Sequence, residues 1–193
     1  GLEANMLAEQ ATTYRNLITL KDGARVLLRL LTPDDRSRFI EMFAPVSADD
    51  AKYLRDPITH PETTGRWVDE LDYRKVLPLI ALAQDRIVGD ATLHFRKGPA
   101  RHIGEVRIFL TKDFRRRGLG THMLKTIVDL ARKAGLHLLV AEVVADQTKV
   151  IKAFRNAGFE LKCSFDDYFM FPDGETGDVA ILTMRLAPRE EEF

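Results

Sequence analysis

Cysteine is nearly absent: Cys163 is the only one in 193 residues, so no disulfide can form within the chain and a reducing compartment is expected. Missing too is any apolar run near the roughly 18 residues needed to cross a bilayer, which leaves no membrane segment to assign and sets the expectation of a cytoplasmic protein. Neither sign of charge is in excess. The 29 basic and 29 acidic residues cancel, so the chain as a whole lacks the electrostatic footprint of a nucleic-acid binder. Residues 1–16 have no basic start and apolar block of a secretory leader and are expected to form a flexible segment ahead of the fold. Histidines 60, 94, 102, 122 and 137 show no metal-ligand spacing, so no metal is assigned. Cys163 lies in a strand-like run without an adjacent histidine and reads as a small buried hydrophobe rather than a nucleophile.

What is present is the composition of one globular domain, with 45% apolar and 30% charged residues over a length suited to a single core. The domain is expected over 17–187, followed by a charged tail at 188–193. Ala24 to Leu31 reads as a strand, and Thr32-Pro33-Asp34-Asp35 as a helix start with a capping threonine and proline at the first helical position. Pro45 ends that helix, and Ser47-Ala48-Asp49-Asp50 starts a second short one running to about Arg55. A variable arm with a helix within Thr63 to Asp72 follows. Strands at Leu77 to Ala83, Ile87 to Phe95 and His102 to Leu110 are joined by tight turns, which predicts an antiparallel meander.

Downstream, Leu119, Met123, Ile127, Leu130, Ala131 and Ala134 share one face of a helix that stops at Gly135. The nearly continuous apolar run from Leu136 to Val144 is expected to be a parallel strand buried on both faces, which makes strand, helix and strand one right-handed βαβ unit. A helix over Thr148 to Ala157 closes on Gly158, and strands at Phe159 to Phe171 and Asp178 to Leu186 form a final hairpin.

The chemistry concentrates between the meander and the long helix, in Arg115-Arg116-Arg117-Gly118-Leu119-Gly120-Thr121. Glycines let the backbone approach a ligand, first-turn amides point outward, and the helix dipole favours negative charge, so a phosphate or pyrophosphate is the natural occupant. A dinucleotide fingerprint fails here, because the third glycine position is Met123 and the motif comes after half the chain. RNA binding is disfavoured as well, since the basic residues are confined to one loop without an aromatic platform.

This order of elements, with the pattern Arg115-x-x-Gly118-x-Gly120 and the helix closing on Gly158-Phe159, resembles the GNAT superfamily of acetyl-CoA-dependent N-acetyltransferases over about Leu20 to Leu186. The opening from Leu20 to Arg29 also looks like that of bacterial protein-lysine acetyltransferase domains. The resemblance implies an α/β (α+β) fold: a mixed, mostly antiparallel sheet of about seven strands, a central βαβ unit whose two strands splay, often at a bulge, and about four helices. It implies acetyl-CoA as cosubstrate, with the pyrophosphate on the amides of Arg116, Arg117, Gly118, Leu119, Gly120 and Thr121. The pantetheine arm would lie along Ile108, Phe109 and Leu110, with an amide near Phe109 or Leu110 facing the thioester oxygen.

Transfer to an amine needs the uncharged nitrogen, and an alkyl amine has a pKa of roughly 10, so a base must take its proton. The resemblance gives that role to Glu105, which strand alternation places on the face of Arg107; a surface Glu105–Arg107 ion pair is the other reading of the same residues. Two positions depart from the family pattern. Phe154 stands where a tyrosine often protonates the leaving thiolate, and Gln147 where an asparagine is usual. Tyr168 could supply a hydroxyl but reads better as a packing aromatic. The acceptor, a primary amine with protein lysine among the candidates, would be bound between residues 44–73 and 165–177, where Trp67 stands and no motif does. Phe39 and Phe43, just upstream, would help to shape that site or serve as core. A non-catalytic acyl-CoA sensor stays open as the alternative, as does a homodimer.

Overall fold

The computed structural model describes residues 13–54 and 60–187. Eight strands form one sheet in the order β1-β2-β3-β4-β5-β6-β8-β7: β1 Arg15–Thr19, β2 Arg25–Leu30, β3 Val76–Ala83, β4 Arg86–Phe95, β5 Ile103–Leu110, β6 Leu138–Val144, β7 Glu160–Met170 and β8 Thr176–Arg185. Every neighbouring pair is antiparallel except β5 with β6. Among the described residues five α-helices accompany them: α1 Arg36–Phe43, α2 Ala48–Ala51, α3 Pro61–Asp69, α4 Leu119–Lys133 and α5 Thr148–Asn156. Among the described residues no helix is long and apolar enough to cross a membrane.

The strand beyond the expected seven is β1, which pairs along β2 from Arg15↔Arg29 to Thr19↔Arg25. Arg15 and Asn16 therefore belong to the sheet and not to a flexible leader, while residues 1–12, the tail from 188 on, and Arg55 lie outside the described residues. The second short helix stops at Ala51. Its cap is as expected, the Ser47 hydroxyl accepting from the Asp50 amide at 3.2 Å. Gln84 and Asp85 close the β3–β4 hairpin, both at positive φ (48° and 65°), the two-residue geometry whose twist matches that of the strands.

The sheet carries two apolar layers. On one face α4 buries Leu119, Met123, Leu124, Ile127, Leu130 and Ala131 against Val88, Ala91, Leu93 and Val106. The other face holds a smaller cluster of Leu31, Phe39, Met42, Phe43, Val68, Ile80 and Ile87, with Phe39 and Phe43 edge to face at 5.1 Å. A bulge in β4 sorts residues between the layers: Leu82 pairs with Ile87 but Ala81 pairs with Gly89, which leaves Val88 as the extra residue. Beyond it, Ala91 and Leu93 face α4. Asp90, Thr92 and His94 face the other layer.

Two expectations about burial are corrected. In β6 only Leu139, Ala141 and Val143 are fully buried, and the residues between them are half-exposed. That second face opens because β5 leaves β6 early. Cys163 is exposed, since β7 is an edge strand paired on one side only and has solvent on nearly its whole length.

The smaller layer is pinned by a buried carboxylate. Asp35, 1% exposed, accepts two 2.7 Å bonds from Arg29 on β2 and one of 2.9 Å from the Thr32 amide. Burial pushes this carboxyl upward, but the Arg29 guanidinium and the Thr32 amide outweigh it and hold it below the usual range. The stabilisation is thus present above an ordinary carboxylate pKa and is lost as pH falls through the lowered one. Asp35→Ala leaves the half-buried Arg29 without its carboxylate, and urea denaturation at pH 7 should show a loss of about 3 kcal/mol. A loss below about 1 kcal/mol would mean that the pair holds nothing in place.

Candidate active site

The site begins where two strands part. β5 and β6 pair only at Ile103↔Leu138, Gly104↔Leu139 and Glu105↔Val140, after which β5 runs on alone to Leu110. The parting needs no bulge in β5, whose register with β4 is unbroken from Gly89↔Leu110 to Phe95↔Gly104. Thr111 N–H bonds the Val88 carbonyl at 2.9 Å and Arg96 N–H bonds that of Ile103 at 3.2 Å. By the two-residue alternation of an antiparallel ladder, the backbone of odd-numbered β5 residues therefore faces β4. The amides of Gly104 and Val106 point the other way and are taken up by β6, and beyond them the Val106 carbonyl and the amides of Ile108 and Leu110 open into the gap. Of the two amides expected to face a thioester, that of Leu110 opens into the gap and that of Phe109 faces β4.

At the end of the gap lies the arginine-glycine loop. Gly118 caps α4 at φ +83°, a left-handed conformation that favours glycine, whereas a Cβ at Gly120 would meet Leu110, Ile108 and Ala153 only at ordinary distances of 3.5–3.9 Å. The amides of residues 116–121 donate to no acceptor among the described residues. They form the expected cradle of free donors at a helix start. The arginines are less uniform than the sequence suggests. Arg117 turns away to Asp22 at 2.5 Å and lies over the Phe114 ring at 4.4 Å; Arg115 donates to the Leu110 carbonyl at 3.0 Å and stands 3.6 Å from Asp50. Arg116 is exposed, at φ +62°.

A cavity of about 110 Å³ occupies the gap, with Ile108 and Phe109 on the β5 side and Val144, Gln147, Val150 and Phe154 opposite. Gln147 precedes α5, and its side chain makes no capping bond. Phe154 is 1% exposed and packs edge to face on Phe159 at 5.0 Å, so this wall offers an aromatic edge and no hydroxyl. Tyr168 instead donates its hydroxyl to Glu142 and stacks on Phe165. Of the two segments expected to bind the acceptor, no residue of 165–177 lines the cavity, whereas Tyr53, Leu54 and Trp67 line it from the arm.

Glu105 is 7% exposed, and Arg107 grips its Oε2 with two N–H groups at 3.0 and 2.7 Å. The pair foreseen as a surface feature exists, but its carboxylate is buried. Glu105 stands opposite His94 in the β4–β5 register, and the Thr92 hydroxyl meets His94 Nε2 at 2.8 Å. One further acid completes this face and was missed. Asp90, directly across from Phe109, is 6% exposed, and its Oδ1 has no hydrogen-bond partner among the described residues. Burial pushes its carboxyl up to about 7. A signal was there to read, a lone acid inside Ile87-Val88-Gly89-Asp90-Ala91-Thr92-Leu93.

The model of the Acetyltransferase (GNAT) family matches residues 45–159, well over half of the chain, and the chain belongs to that family. Over 57 residues, 30% of this chain, it is 33% identical to L-methionine sulfoximine/L-methionine sulfone acetyltransferase of Pseudomonas paraeruginosa, and the match spans only 33% of that relative's length. Among solved structures, the GNAT domain of S. lividans PAT superposes with a TM-score of 0.73 at 23% identity, covering 89% of this chain and 97% of that one. The ribosomal-protein-S5-alanine acetyltransferase from Vibrio fischeri superposes at 0.76 with 16% identity, covering 88% and 96%.

Asp90 gives this site a signature in stability. A carboxyl raised to about 7 by burial contributes most below its unfolded pKa, and the contribution is lost as pH rises through about 7. Asp90→Asn should therefore be more stable than the wild type at pH 8, and that advantage should shrink towards pH 5, by up to about 1.4 kcal/mol per pH unit below about 7. Urea denaturation of both proteins at the two pH values decides it; an equal gap at both would show that Asp90 titrates normally.

Proposed function

We propose that the protein is an acetyl-CoA-dependent N-acetyltransferase acting on a primary amine by direct attack in a ternary complex. The observation that carries this reading is the continuity between the β5–β6 gap and the cradle of unpaired amides at residues 116–121. A long ligand with a polar amide-bearing arm and a pyrophosphate end matches both. The arm would pair with the backbone of Val106, Ile108 and Leu110, and the pyrophosphate would take the amides around Gly118 and Gly120. Arg115 and Arg116 border that cradle, whereas Arg117 is engaged by Asp22.

In the transfer, the amine nitrogen forms a bond to the acetyl carbonyl carbon and the carbon–sulfur bond breaks. Two protons leave the nitrogen, one to a base and one to the departing thiolate. The Leu110 or Ile108 amide would stabilise the charge that develops on the carbonyl oxygen. Glu105 is the base implied by family resemblance, and the two N–H groups of Arg107 on its Oε2 hold it in one orientation. With Phe154 in place of a hydroxyl, the thiolate would leave unassisted by that position, which a thiol pKa of roughly 8.5 tolerates.

A non-catalytic acyl-CoA sensor on the same fold is the alternative, and Phe154 is what favours it. The buried, unpartnered acid that lines the gap from β4, Asp90, weighs against it, since a module that only binds the cofactor has no use for such a group.

Isothermal titration should show CoA binding, and incubation with acetyl-CoA and a cell lysate followed by mass spectrometry should reveal acetylated amines. Glu105→Gln should bind CoA normally and lower the transfer rate by about 100-fold or more. CoA binding without transfer to any amine would hand the site to the sensor reading, and an undiminished rate in Glu105→Gln would remove Glu105 as base.

A further inference from the structure

Two cavities meet at one wall. The first is the 110 Å³ gap; the second, of about 240 Å³, lies between the sheet and the helical arm and is walled by apolar residues including Leu31, Phe39, Leu71, Val76 and Pro78. Trp67, Asp90, Thr92, His94 and Arg107 line both. A ligand seated in the second cavity thus looks through this wall at the place where the thioester carbonyl would lie. Within the wall, Arg107 is neutralised by Glu105, and the Thr92 and His94 side chains bond to each other. Asp90 lines both cavities, and its Oδ1 is the one buried side-chain polar atom without a hydrogen-bond partner among the described residues.

Leaving such an atom dry is costly unless a ligand satisfies it. We infer that Asp90 is the binding site for the acceptor's ammonium, and that the acceptor is a primary amine carried on an apolar stem that fills the second cavity. Its charge would be matched by the only carboxylate in the wall without a cationic partner. Its stem would lie along Phe39, Leu71 and Val76, and Trp67 would flank the ammonium with its ring face. The elevated pKa of Asp90 is what an acid waiting for a cation should show, since an ammonium beside it supplies the counter-charge that burial withholds. This inference rests on the proposed amine acetylation and adds to it where and how the amine is held. Two sources share the chemistry, a free arylalkylamine and the side chain of a lysine in a polypeptide.

The test uses the full chain saturated with CoA. It is titrated by calorimetry with 2-phenylethylamine, with Nα-acetyl-lysine methylamide, and with 2-phenylethanol as the uncharged counterpart. At least one of the amines should bind the wild type, and Asp90→Asn should weaken that binding by tenfold or more. Binding of CoA, and any binding of 2-phenylethanol, should stay within about twofold. In the transfer assay the same variant should raise KM for the amine by at least tenfold. Preference for one amine identifies the source and supports the inference in either case. Amine binding that Asp90→Asn leaves intact would overturn it, and so would failure of both amines to bind a wild type that holds CoA. A wild type that does not bind CoA would instead defeat the proposed function, and the amine titrations repeated on the CoA-free protein would still decide the fate of Asp90.

Discussion

The architecture hangs on the parting of β5 from β6 after Glu105. A parallel pair that stays zipped would satisfy its own amides and leave a closed sheet; here Val106, Ile108 and Leu110 are left with backbone groups facing a gap. Such groups are expensive unless something bonds them, so the opening persists only because the strands on either side are held elsewhere. β5 is tied to β4 along its entire length, and β6 to β8 from Leu138↔Arg185 to Val144↔Val179. The two halves of the sheet are each complete without the other. That independence is what lets a cleft pass through the middle of a continuous core.

Two buried acids stand on neighbouring strands with different partners, and of the two only Asp90 lines the cleft. Glu105 takes two N–H groups of Arg107, whereas Asp90 has no ion-pair partner among the described residues and burial pushes its carboxyl up to about 7. A buried acid raised in this way is a common mark of sites that move protons or hold cations. The same contrast explains why the two differ in what they do for the fold. Glu105 is satisfied by its neighbour, whereas Asp90 is a liability in the empty protein.

Most of the fold was legible in the sequence because the long elements carry strong periodicity. The α4 stripe from Leu119 to Ala131, the glycine stop at 135, and the meander of β3, β4 and β5 all appear where the pattern puts them. What escaped detection was set by contacts distant in the chain. β1 is a short strand on the sheet edge with only β2 to reveal it, and the exposure of Cys163 follows from which strand ends the sheet. In the site, the loop at Gly118 and the wall residues Gln147 and Phe154 were readable because a motif marks them. Asp90 was not, because its facing depends on Val88 being one residue too many for β3.

That surplus residue acts as a sorting device. Ile87 and Asp90 are three apart and in a regular strand would point to opposite sides, yet both face the arm. Strict alternation from Ile87 would have put the carboxylate under α4, where a side chain at the neighbouring Gly89 already meets Met123 and Leu110. An acid driven into that packing has no solvent, no partner and no ligand to reach. One irregular backbone step therefore separates a poisoned core from a reactive pocket, and it does so without changing a single side chain.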